Sequence, residues 1–174
     1  MSRILAPRCV LRADRTSAVL RGLVPNCVST ICGSYRRGAE SSGDVDLVAS
    51  GAGEPEQVLR ELVGALRAHP AVAVVHVLGI SGHDGVSTAN VIILHRGVHR
   101  RMDVVYARPA QYGAALLLWT GGVVYERDLR RWAQKRGLRV CVCFVCAYSS
   151  RRVDSIAAGS CFRRRLRQER EFEI

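Results

Sequence analysis

Asp44 and Asp46 close the run Gly33-Ser34-Tyr35-Arg36-Arg37-Gly38-Ala39-Glu40-Ser41-Ser42-Gly43, and those residue types at that spacing suit chemistry on a nucleotide. In a strand, side chains at i and i+2 share a face, so the two carboxylates point together while Val45 and Leu47 pack behind them. Two carboxylates so placed give hard oxygen ligands for Mg²⁺, which binds to a few carboxylates and completes its shell with phosphate and water. A Gly-rich turn exposes backbone N–H groups to phosphate oxygens, Ser34 adds a hydroxyl donor, and Arg36 or Arg37 supplies positive charge. A third acid is expected from a neighbouring strand. Asp103 fits, as the lone acid of an apolar, β-branched run preceded by Arg100 and Arg101. Two ions held by such a set can activate a hydroxyl and stabilise the attacking and leaving oxygens of an in-line displacement. The competing reading of Gly43-Asp44-Val45-Asp46 is an ordinary turn entering a strand. The Gly-Ser pair and the arginines upstream favour the chemical one.

The flanking sequence must supply the elements that hold these groups. Residues 9–22 predict a helix ending before Pro25, and Cys27 to Cys32 predicts a strand that delivers the Gly33-Ser34 turn. Asp44 to Ala49 predicts the next strand. Pro55 suits the first helical position of a helix in which Val58, Leu59, Leu62, Val63 and Leu66 form one apolar stripe, stopped at His69-Pro70. The runs Ala71 to Leu78, Ala89 to Leu94 and Arg101 to Val105 predict the rest of a sheet. From Pro109 the pattern turns helical, with Trp119-Thr120-Gly121-Gly122 as a break. In the helix expected from Val123 to Arg136, Tyr125, Leu129 and Trp132 form a core stripe, with Arg127, Arg130, Arg131 and Gln134 opposite. That basic stripe suits a phosphate backbone or template strand.

Composition narrows the partners. A chain of 174 residues with 48% hydrophobic content can bury a core, and a net charge of +11 points to a polyanion, nucleic acid foremost. No apolar run reaches the roughly twenty residues that span a bilayer, so the expectation is a soluble, intracellular protein without a membrane partner. Arg3, Arg8, Arg12 and Arg15 resemble an organelle transit segment, but the intervening Leu and Val favour a first helix. The seven cysteines show no paired spacing. Cys141, Cys143 and Cys146 therefore read as apolar strand residues rather than a zinc set, for which no paired His is available.

Three motifs carry a family resemblance: Gly-Ser-Tyr-Arg-Arg-Gly-Ala-Glu-Ser-Ser-Gly-Asp-Val-Asp at 33–46, Arg-Arg-Met-Asp at 100–103 and Trp-Thr-Gly-Gly at 119–122, continued by Glu-Arg-Asp-Leu-Arg-Arg at 126–131. From about residue 25 to residue 138 the chain resembles the X family of DNA polymerases, within the polymerase-beta-like nucleotidyltransferases. The third motif and its continuation are closer to polymerase mu and terminal transferase. The resemblance implies an α+β fold: a mixed-sheet palm with flanking helices over residues 1–108, then a smaller nucleotide- and template-binding subdomain over 109–174. It implies that Asp44 and Asp46 bind both metals, and that Asp103 joins the catalytic metal and orients or deprotonates the primer hydroxyl. Gly33, Ser34, Arg37 and Gly43 match nucleotide-phosphate positions, and Trp119 and Gly121 match sugar and base contacts. Glu126 and Arg130 match positions near the nascent base pair, and Arg127, Arg130 and Arg131 are the DNA-contacting set. Mg²⁺, with Mn²⁺ as a substitute, is the implied cofactor. The implied partners are a DNA primer-template and a deoxynucleoside triphosphate, for a monomer in the nucleus.

The chain departs from the family pattern at several points. Glu126 stands where the family usually has Asn or Gln, and Leu118 where it has Tyr or Gly. The chain begins just before the palm, so the lyase domain and helix-hairpin-helix clamp are expected to be missing. Residues 139–174, with Arg163, Arg164, Arg165 and Arg167, replace the usual terminal strand. The reading that follows is a DNA polymerase active in repair or end joining. Its alternatives are a catalytically weak or inactive DNA-binding fragment and a template-independent terminal transferase. The short His95-to-His99 turn favours template-directed synthesis over the latter.

Overall fold

The computed structural model describes residues 4–69, 73–83, 85–95, 97–140 and 145–147. Strand β1 (Ile4–Leu5) leads into helix α1 (Ala6–Leu23), followed by β2 (Val28–Ile31), the single-turn helix α2 (Gly33–Arg36), β3 (Ser41–Ser42) and β4 (Val45–Ser50). Helix α3 (Pro55–Ala68) starts with proline at its first turn, where the missing N–H costs nothing. Three long strands come next, β5 (Ala73–His83), β6 (Val86–His95) and β7 (Val98–Ala107), then a short 3-10 turn at Pro109–Gln111, α4 (Tyr112–Thr120), α5 (Val123–Gln134), β8 (Leu138–Val140) and β9 (Val145–Ala147). Cys141, Cys143, the side chain of Cys146 and Arg163 to Arg167 lie outside the described residues.

A five-stranded sheet in the order β2-β4-β7-β6-β5 is the centre of this mixed α/β architecture, with β1–β3 and β8–β9 as separate pairs. β4 and β7 run parallel; the other neighbours are antiparallel. Side-chain alternation then divides the sheet. Val45, Leu47 and Ala49 of β4 and Met102, Val104 and Tyr106 of β7 join the main core beneath α1 and α3, where Val58, Leu59, Leu62, Val63 and Leu66 are all buried. The expected α3 stripe therefore holds in full. On the opposite face Val48, Val105, Ala107 and Val86 pack against Ala115 of α4, with Tyr112, Leu116 and Trp119 at the margin. Asp46 and Asp103 alternate onto this second face, and α4 covers it only in part.

Helix α5 departs from the sequence expectation. Tyr125 and Trp132, predicted as core, are 49% and 51% exposed, whereas Ala133 is buried with Leu118 and Val140, and Leu129 packs beside them. Contact runs along the Leu129–Ala133 line, i to i+4, so the helix is turned and both aromatics flank the contact. Arg130, assigned to the outer face, is half-buried as a result.

Candidate active site

Parallel pairing of β4 with β7 puts Asp46 directly opposite Asp103. Asp44, one residue ahead of β4, completes the group. Each of the three carboxylates offers an oxygen, and these oxygens lie within 4.8 Å of one another. The three acids anticipated from spacing thus meet on one face, with Val45 and Leu47 buried behind them.

Mutual repulsion and burial mark the cluster electrostatically. Burial pushes Asp46 up from 3.8 to about 7, the Asp44 and Asp103 carboxylates add to the rise, and Arg101 and Arg37 oppose it. Burial also raises Asp103, with Arg101 pulling it back and Asp44 adding to the rise. The Arg101 guanidinium bridges two of the acids, with Nη2 2.6 Å from Asp44 Oδ2 and 3.2 Å from Asp103 Oδ2. Arg101, noted in the sequence as a basic neighbour of Asp103 but given no site role, stands two residues before it on the same strand face, and that spacing was a usable signal. Asp103 Oδ1 is buried and accepts no hydrogen bond from the described residues. An oxygen-only donor set with one orphaned buried lone-pair site is what a hard divalent cation fits.

The sign of the pH dependence follows. Between pH 4 and 7 the folded chain holds a proton on Asp46 that the unfolded chain releases, so stability present below about pH 4 is lost as pH rises through about 7. The loss is on the order of 2–4 kcal/mol. In EDTA, Asp46→Asn should raise Tm at pH 8 by roughly 5–10 °C over the parent, with little difference at pH 4. An equal offset at both pH values would contradict this account.

The turn before β4 is built around the same acid. Gly33 has φ +60, and a Cβ placed there would lie 1.9 Å from Asp46 Oδ2. Only a residue without a side chain lets the turn close over the carboxylate. The sequence suggested an open Gly-rich turn; the chain forms the one-turn helix α2 instead, with Arg36 N–H donating to Cys32 O. Ser34 and Ser42 share a hydroxyl hydrogen bond that ties α2 to β3. Gly43 is exposed, with open space where a Cβ would stand.

Arg37 is exposed and donates from Nη1 to Thr120 O at 2.8 Å and to Gly121 O at 3.4 Å. Trp119 is half-buried against the second core. A Cβ on Gly121 would meet Tyr125 Cδ1 at 2.7 Å and Glu126 Cγ at 3.2 Å. Glu126 accepts from Arg130 Nη2 at 3.0 Å, while exposed Arg127 and Arg131 each lie 3.7 Å from Asp128. The residues that the sequence nominates therefore fall into the acid cluster with Gly33, the α2–β3 turn, and the α4–α5 joint; Arg37 links the turn to the joint. Tyr125, Asp128, Leu129 and Trp132 line a hollow on α5 that includes none of Asp44, Asp46 and Asp103.

The DNA polymerase beta palm family matches residues 10–109, more than half of the chain. The chain belongs to that family. Among relatives of the palm, DNA polymerase type-X family protein pol4 of Schizosaccharomyces pombe is 30% identical over 112 residues, covering 60% of this chain and 22% of the relative. DNA nucleotidylexotransferase of Ambystoma mexicanum is 26% identical over 162 residues, covering 70% and 32%. The same-named protein of Xenopus laevis is 23% identical over 158 residues, covering 70% and 31%. The chain thus spans between 22% and 32% of the length of these relatives. Among the described residues no helix is long and apolar enough to cross a membrane.

Proposed function

We propose that this palm performs template-directed nucleotidyl transfer, adding a deoxynucleotide to a DNA 3' end in repair or end joining and releasing pyrophosphate. The observation that carries the reading is the meeting of Asp44, Asp46 and Asp103 beside the Gly33 turn in a member of the palm family. Asp44, Asp46 and Asp103 would hold Mg²⁺, for which Mn²⁺ substitutes. Divalent metal bound there supplies the charge that activates a hydroxyl and stabilises the oxygens of an in-line displacement.

The chain's own residues do the rest. Ser34, Arg37 and the backbone N–H groups that open α2, which have no intrahelical acceptor, receive the β- and γ-phosphates beside Gly43. Asp103 orients the primer hydroxyl and takes its proton. Trp119 and Gly121 hold the sugar and base, with Glu126 and Arg130 near the new base pair. Arg127, Arg130 and Arg131 bind the DNA backbone through charge, so affinity falls steeply with salt. The two-residue connection from His95 of β6 to Val98 of β7 leaves no long loop to displace a template, which favours templated synthesis. A nuclear monomer goes with this role.

One observation favours a second reading, a DNA-binding fragment without catalysis: Arg101 already neutralises two of the three acids. Primer extension on one-nucleotide-gapped and blunt DNA, with Mg²⁺ and with Mn²⁺, separates the readings. Incorporation on gapped DNA directed by the template base is expected. Salt-sensitive binding with no incorporation under either ion would select the second reading, and untemplated addition to blunt ends would select a terminal transferase.

A further inference from the structure

Arg37 sits where two needs meet. The carbonyls at the C-terminal end of α4 have no acceptor role left within the helix, and the negative end of the helix dipole points the same way. Arg37 Nη1 satisfies Thr120 O and Gly121 O from a turn 83 residues earlier in sequence. The contact uses one nitrogen of the fork, and no other hydrogen bond or ion pair of this guanidinium is formed among the described residues. The same side chain is close enough to the acid cluster to act on Asp46 by charge. Its engaged edge belongs to the α4–α5 joint, and as the residue that ends α2 it has its other guanidinium nitrogens left for a phosphate bound at that turn.

That joint is mechanically tight. Gly121 packs so closely on Tyr125 and Glu126 that a methyl group would not fit, and Glu126 N–H donates to Gly122 O at 2.9 Å. The Thr120 and Gly121 carbonyls that Arg37 holds thus lie between Trp119 at the end of α4 and the first turn of α5.

We infer that Arg37 is a positioning residue as well as a phosphate contact: it keeps Nη1 on the Thr120 carbonyl while its other edge takes the triphosphate, so that phosphate binding sets the Trp119–Gly122 segment. This rests on the nucleotide-binding reading above. A planar fork can serve both partners at once. A lysine ammonium is a compact point charge that can follow the phosphate but cannot hold both in this geometry.

The test uses the full chain and inorganic tripolyphosphate with Mg²⁺, a probe with no sugar or base. Trp132→Phe leaves Trp119 as the sole tryptophan. Binding is followed by calorimetry and the state of the segment by Trp119 emission. The parent is expected to bind tripolyphosphate with an emission change that saturates with the heat. Arg37→Lys should still bind, within about tenfold in affinity, and lose the emission change. An unchanged emission response in a binding Arg37→Lys protein overturns the inference, as does a parent that binds silently. An emission spectrum or melting temperature already altered in Arg37→Lys before any ligand is added makes Arg37 a plain structural brace, and overturns it too. Failure of the parent to bind tripolyphosphate removes the phosphate reading itself, a result distinct from the others.

Discussion

Asp103→Asn is expected to lower templated incorporation by about a thousandfold or more, equivalent to ~4 kcal/mol of transition-state stabilisation. The size follows from what the residue cannot share. Asp103 is the strand partner of Asp46 and one of the three acids whose oxygens lie within 4.8 Å of one another. The sole such group among the described residues is Asp44, Asp46 and Asp103, so no spare carboxylate takes over. The change keeps shape and removes charge, and it acts on a group whose ionisation burial already disfavours. Tm should therefore stay level or rise, which separates a chemical defect from an unfolded one. DNA binding should persist with its salt dependence intact, since the basic surface is untouched. Single-turnover extension on gapped DNA, read beside Tm and binding, checks all three. Incorporation within tenfold of the parent would take Asp103 out of the reaction and the polymerase reading with it.

Much of this site is written in period and spacing. The i, i+2 acids, the strand around Asp103 and the α3 stripe are local patterns, and local patterns map onto local structure. What could not be read is what depends on contacts between distant segments. The parallel register that sets Asp46 against Asp103 has no sequence signature, although the need for a third acid made Asp103 the candidate. Helix α5 misled because Leu129 belongs to two lines, one with Tyr125 and Trp132 and one with Ala133. The aromatics offer far more apolar area than alanine, yet the small residue is the one buried beside Leu118. Arg101 and Arg37 were both visible as charges. Their partners, two carboxylates and a pair of backbone carbonyls, were not.

Gly33 shows the same limit in steric form, and its substitution has the second large effect. A glycine in a turn ordinarily signals backbone freedom, and φ +60 alone would cost alanine about 1–2 kcal/mol. Here the added methyl would also stand 1.9 Å from Asp46 Oδ2 and 2.9 Å from its Cγ. Real atoms do not approach so closely, so either α2 lifts or the carboxylate rotates out of the cluster. Both routes damage the site, and Gly33→Ala should lose roughly 2–4 kcal/mol of stability and at least about a hundredfold in incorporation. Gly64→Ala on the exposed side of α3, where a Cβ meets nothing within 4 Å, gives the opposite control. It should gain up to about 1 kcal/mol and leave incorporation unchanged. The decisive comparison is a double-mutant cycle with Asp46→Asn. If Gly33→Ala acts by displacing that carboxylate, the double variant should be no slower than Asp46→Asn alone, because the group to be displaced has already lost its function. Multiplying defects would mean that Gly33 serves the reaction by another route, such as the phosphate turn itself, and the close approach to Asp46 would then be packing without catalytic consequence.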